Sequence, residues 1–266
     1  MTDSEVIVEK RDGVLWARIN RPSALNALNE TVLASISKVL DQIEQDQDIR
    51  VLVLTGTGRA FSVGLDIDCL TRGFQDHAYF RFLLGQVTGI CRRMEESPVP
   101  VITAINGLAR AGGFEMILAS DFSFAASDAK IGDNHLLFSV MPGGGASQRA
   151  PLRLGTQRAK ELIFTGRWMS AQEATEAGLV LGHFPPQELE GAVTEFAQSM
   201  TVLSRNCLAA TKRAMNKGNS MPLLDGIDLE TALFFEYLDK YPDGPNRFNQ
   251  YLTSRDGEAG TASANS

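Results

Sequence analysis

Residues Ile105 to Arg149 read INGLARAGGFEMILASDFSFAASDAKIGDNHLLFSVMPGGGASQR. An apolar strand over Val101–Ile105 breaks at Asn106-Gly107, and Gly112-Gly113 then open a segment, Phe114–Ala119, of helical composition that ends before Asp121. That order places first-turn N–H groups, which have no partner within the helix, at the positive end of its dipole. Such an end can hold a developing anion, and glycine lets a ligand approach the backbone. Glu115, three residues after Gly112, is expected beside that amide, so that a proton carrier adjoins an oxyanion donor, a pairing suited to enolate chemistry. The same glutamate also fits a plain role, complementing the dipole or closing a capping box, and this stretch alone does not separate the two.

Upstream, Val14–Ile19 is strand-like, Asn20-Arg21-Pro22-Ser23 breaks it, and Ala24–Leu28 is left as a short apolar loop. Asn29 is placed to cap a helix in which Val32, Leu33, Ile36, Val39, Leu40 and Ile43 recur at helical spacing. Val51–Leu54 is a continuous apolar run of the kind buried on both faces of a sheet. In the loop Arg59–Asp68, Gly64 precedes the amide of Leu65, a second candidate oxyanion donor. Thr71–His77, polar and interrupted by glycine, reads as a mobile loop and a candidate lid. Phe80, Leu83, Leu84, Val87, Ile90, Cys91 and Met94 mark a long amphipathic helix that stops at Ser97-Pro98.

Downstream, Thr156–Phe164 is helical, and Ser170–Glu173 forms a capping box for a helix stopped by Gly178. Strands separated by helices or glycine loops describe repeated β/α turns, an α/β class with helices outside. After Ser204 the strand signal ends. Asn206–Met215 and Leu229–Leu238 are helices whose apolar faces need a partner, on a neighbouring subunit or across the core. The polar Ser254–Ser266 is expected to be a disordered tail. The expected division is a core over 1–200 and a helical region over 201–266.

The chain has 266 residues, 44% of them hydrophobic, enough for one large core and a smaller annexe. Its net charge of -7 and the absence of a basic stripe exclude nucleic acid and anionic membrane as expected partners. Cys69, Cys91 and Cys207 are widely spaced, which fits a reducing compartment and neither a disulfide framework nor a metal site. No apolar run reaches transmembrane length and the N-terminus lacks a signal-peptide core, so a cytoplasmic protein is expected.

Taken together, NRPSALNALN, RAFSVGLDI, INGLARAGGFEMILASDF and MPGGGASQRAPLRLG, in this order and at these separations, resemble the enoyl-CoA hydratase/isomerase (crotonase) superfamily. The resemblance runs from about Val6 to Met200 and continues weakly into the C-terminus. It implies a crotonase-like ββα spiral core, a C-terminal α-helical trimerisation region, and trimers that can pair into hexamers. It also implies an acyl-CoA thioester substrate, with coenzyme A part of that substrate and no further cofactor. The thioester oxygen would lie in an oxyanion hole of the Leu65 and Gly112 amides, and CoA against Ala24, Leu25, Arg59, Asp66 and Ile67. For Arg59 a phosphate contact and a solvated loop cation stand about level. Gly143 to Gly145 lack the lysine of a phosphate-binding loop, and Pro142 and Gly143 are read as packing near the acyl pocket.

The chain departs from the family at the second of the two glutamates that hold water in its hydratases. Glu115 matches the first, and His135 stands in place of the second. Histidine exchanges protons near neutral pH, so Glu115 and His135 can share acid/base work; a structural loop histidine is the alternative. Arg110 replaces a usually apolar residue and suits either an acidic acyl group or an ion pair. Reversible hydration of a 2-enoyl-CoA is the expected reaction. The alternatives are an isomerase, decarboxylase or carbon–carbon hydrolase using His135, and, from another class, a catalytically silent acyl-CoA-binding oligomer.

Overall fold

The computed structural model describes residues 4–263, with side chains to residue 253. β1 (Val6–Arg11) and β2 (Val14–Ile19) pair antiparallel around Asp12-Gly13, whose φ values of 48° and 80° give a hairpin turn suited to an Asp-Gly pair. Asn29 caps α1 (Glu30–Gln45) by accepting from Val32 N–H at 2.8 Å, and the six apolar residues of its expected stripe are all buried. β3 (Val51–Gly56) is buried throughout and is followed directly by β4 (Ala60–Ser62).

α2 (Ile67–Gln75) and α3 (His77–Glu96) come next. The loop expected over Thr71–His77 is therefore corrected: most of it is the second half of α2. Asp66 caps that helix, only Cys69 and Gly73 on it are buried, and Phe74 packs edge to face on Phe80. So short an apolar face leaves little periodicity to read.

Two further strand pairs follow. β5 (Val101–Ile105) and β6 (Leu108–Arg110) lead to α4 (Gly112–Ala119), and β7 (Phe122–Ala126) and β8 (Lys130–Gly132) lead through a 3-10 turn, His135–Phe138, to α5 (Ala146–Leu154). α6 (Thr156–Thr165), β9 (Met169–Ser170), the boxed α7 (Ala171–Glu176), β10 (Gly182–Phe184) and α8 (Leu189–Thr201) complete this part.

The strands sort into two sheets, ordered β1-β2-β3-β5-β7-β10 and β4-β6-β8-β9. β3/β4, β5/β6 and β7/β8 each place one strand in either sheet, with parallel pairing between successive turns, so the chain advances as a ββα spiral. The core is continuous, from Trp16 and Leu52 through Phe61 and Phe114 to Val193, all at 1% exposure or less. At about 25 cal/mol per Å² of apolar area, this burial is the main force holding the spiral closed.

The chain divides into compact units between Val202 and Leu203. The second consists of α9 (Arg205–Gly218), α10 (Leu223–Lys240) and α11 (Asp243–Ser263). Leu233 and Tyr237 of α10 are buried, whereas Leu223, Leu224, Ile227, Phe234 and Phe235 are exposed. The tail expected to be disordered from Ser254 is helical through Ser263, since extending an existing helix costs far less than starting one; 264–266 lie outside the described residues. Among the described residues no helix is long and apolar enough to cross a membrane.

Candidate active site

The site grows from the close approach of two loops. Leu28 N–H donates to Gly64 O at 2.8 Å and Asp66 N–H to Leu28 O at 3.0 Å, so Leu65 is held from both sides. Gly64 has φ +92°, and a Cβ there would come within 2.7 Å of Ala111 Cβ and 2.9 Å of Gly112 N. A side chain at Gly64 would thus separate the Leu65 loop from the start of α4. Ala111 itself has φ 47° and ψ -118°, a conformation that costs a residue with a side chain about 1–3 kcal/mol and that clusters at functional sites. The structure therefore brings Leu65 and Gly112 together, with Glu115 one turn further along the same helix.

Glu115 is 2% exposed. Its Oε1 accepts from Gly144 N–H at 2.7 Å and from Ala146 N–H, the first amide of α5, at 3.2 Å. No hydrogen bond to Oε2 is found among the described residues. Burial raises the Glu115 pKa, and the charge of His135 and the two amides only partly offset it. Such a carboxyl is shifted toward the range where it can both take and give a proton.

His135 opens the 3-10 turn. Its Nδ1 lies 3.0 and 2.9 Å from the two carboxylate oxygens of Asp133, and Asp133 Oδ1 also accepts from His135 N–H at 2.9 Å. Asp133 is fully buried. Burial alone would lower the His135 pKa, but the Asp133 hydrogen bond and charge, with Glu115 behind them, raise it. Sequence reasoning passed over Asp133, whose one signal was an acid two residues before the histidine. It also passed over Gly144, where a Cβ would run into Glu115 Oε2, and the pair Glu95–Arg149 behind it.

The remaining residues fall in two places. Ala24 ends a 3-10 turn, and Leu25 and Asn26 follow with φ 51° and 56°. Buried Asn26 ties this loop to the Arg59 segment through Thr57 O at 2.9 Å and Ala60 O at 2.6 Å. Arg21, at its start, pairs with Asp66 at 2.8 Å, and Ile67 beside it is 77% exposed. Ala24, Leu25, Arg59, Asp66 and Ile67 thus form one neighbourhood, in which Asp66 holds an arginine and a helix start. Gly143 packs against Leu84, next to Pro142. The Arg110 guanidinium stacks on Trp168, 3.6 Å from the ring centre, and donates to Gly166 O at 2.6 Å.

Residues 9–253 match the family model described as enoyl-CoA hydratase/isomerase. A putative enoyl-CoA hydratase/isomerase of Bacillus subtilis is 35% identical over 88% of this chain and 90% of its own length. A short-chain-enoyl-CoA hydratase of Clostridium acetobutylicum is 35% identical over 88% and 87%. The crystal structure of an enoyl-CoA hydratase from Bacillus anthracis superposes with a TM-score of 0.88 at 32% identity, covering 94% of this chain and 96% of that one. The ββα spiral followed by helices is the crotonase-like fold, and this chain is an enzyme that belongs to the enoyl-CoA hydratase/isomerase family.

Proposed function

We propose that the enzyme adds water reversibly across the 2,3 double bond of a short 2-enoyl-CoA. The thioester oxygen sits between the Leu65 and Gly112 amides, where two aimed N–H groups in a dry site are worth about 3 kcal/mol each to an enolate. Glu115 Oε2 takes a proton from water as its oxygen attacks C3. The imidazolium of His135, steadied by Asp133, delivers a proton to C2 as the enolate collapses, and proton exchange between the two groups closes the cycle. CoA lies along Ala24, Leu25, Arg59 and Ile67, no separate cofactor takes part, and the exposed apolar face of α10 meets other copies in a trimer.

One observation carries this reading: a buried carboxyl with one oxygen held by two amides and the other without a donor among the described residues, in electrostatic reach of a histidine that a buried aspartate holds. The names of the hydratases among its relatives support the substrate class. The histidine in place of a second carboxylate also favours a second reading, in which no water adds and His135 serves isomerisation, decarboxylation or carbon–carbon cleavage of an acyl-CoA.

Loss of enoyl-thioester absorbance with crotonyl-CoA, for wild type, Glu115→Gln and His135→Ala, tests the choice. Hydration by wild type with a fall of about 100-fold or more in both variants is expected. Loss in Glu115→Gln alone leaves His135 structural. Binding without hydration by wild type overturns the proposal and points to β-keto and malonyl-type thioesters, or to a silent binder if those fail too.

A further inference from the structure

The amides that hold Glu115 Oε1 belong to a loop that is itself held. Arg149 of α5 forks onto Glu95, in the last turn of α3, with Nε at 2.6 Å from Oε1 and Nη2 at 2.8 Å from Oε2. Its third arm, Nη1, donates to Gly144 O at 2.8 Å. Gly144 therefore has its carbonyl on Arg149 and its N–H on Glu115. Each glycine of the run permits part of this: a Cβ on Gly143 would press on Leu84, one on Gly144 would strike Glu115 Oε2, and one on Gly145, at φ +110°, would strike Arg149 Nη1. A planar guanidinium suits this task because its donors point in fixed directions, so fixing two on a carboxylate aims the third.

We infer that the Arg149–Glu95 pair is a positioning device for the acid/base carboxyl, holding the Gly144 carbonyl so that the Gly144 and Ala146 amides grip Glu115 Oε1 and leave Oε2 for proton exchange. The inference rests on the reading of Glu115 as the acid/base group. The charged and titratable groups around Glu115 are His135, Asp133, Arg149 with Glu95 behind it, and Cys91, whose thiol burial pushes up to about 12.

The test is an infrared titration of the Glu115 carboxyl in the substrate-free enzyme, its band identified by its disappearance in Glu115→Gln. Glu95→Ala frees Arg149, and Arg149→Lys keeps the charge without the fork. In both, the amides lose their aim and the Glu115 midpoint is expected to rise by about one pH unit, because donors to the charged form are lost. Charge alone predicts the opposite in Glu95→Ala, since removing a negative group favours an ionised neighbour. With crotonyl-CoA, kcat falls about tenfold at unchanged KM. A midpoint that stays or falls in the folded variants overturns the inference, whatever happens to melting temperature. If Glu95→Ala does not fold, Glu95→Gln is read the same way. The titration needs no turnover, so failure of the hydration reading leaves this result legible on its own.

Discussion

Glu115 and His135 are the two candidate acid/base groups, and the chain holds them by different means. Glu115 sits within a helix, and its carboxyl is gripped by main-chain amides at the start of another. His135 begins a four-residue 3-10 turn in which Leu136, Leu137 and Phe138 are 40%, 57% and 71% exposed, and its ring is held by the side chain of Asp133. Backbone donors survive any neighbouring substitution that leaves the backbone in place, whereas a side-chain holder is lost with one codon. The grip on Glu115 is thus lost only through what displaces the backbone, as loss of the Arg149–Glu95 pair is expected to do, whereas the hold on His135 goes with Asp133 alone. Chemistry at the His135 half can change without rebuilding the fold.

The sharpest way to break the contrast is to disturb the Glu115 half through its backbone. In Gly144→Ala the new methyl meets both Glu115 Oε2 and Val87, so either the carboxyl or the loop must move. Hydration is expected to fall about 100-fold, with about 1–3 kcal/mol lost from stability. Steady-state kinetics beside thermal melting checks it. Near wild-type kcat would show that the carboxyl is not confined as described.

Asp133→Asn breaks the other half with a smaller effect. Asn keeps a hydrogen bond but loses the charge, so burial acts on His135 with less opposition and its pKa falls. If the imidazolium delivers a proton, the basic limb of the kcat profile moves down by about one pH unit, with about tenfold less activity near pH 8. Stability moves with it. A histidine whose folded pKa is raised contributes stability that is full below its unfolded value of about 6.5 and is lost as pH rises through the folded value. The variant should therefore show a flatter rise in melting temperature as pH falls from about 8 to 5.5. An unchanged profile would make Asp133 a packing residue.

This split also tracks what could be read from the sequence. The α1 stripe, β3, β5 and the glycines opening α4 were legible because apolar spacing and a strand-to-helix break are local signals. α2 was not, because Asp66 at its cap and two small buried residues are all that distinguish it from a loop. Glu115 and His135 stood out by position, but not their partners. Gly144 lies 29 residues from Glu115, and Arg149 lies 54 from Glu95, separations at which only the spiral decides who meets whom. Asp133 was adjacent and still unread, because nothing in Asp-Asn-His says that the acid turns inward.

The smallest expected effect asks how far the His135 half extends. Arg110 lies within electrostatic reach of Asp133, yet its guanidinium is stacked on Trp168 and bonded to Gly166 O. Among the described residues its buried Nε finds no hydrogen-bond partner. If packing is its whole role, Arg110→Met loses about 1 kcal/mol, the worth of a partly buried cation–π contact, and leaves KM for crotonyl-CoA unchanged within about twofold. A KM that rises selectively for an enoyl-CoA carrying a terminal carboxylate would instead give Arg110 a place in the acyl site. The residue would then belong to the adaptable half, as a substrate contact drawn from β6, beside the strand that leads into Asp133.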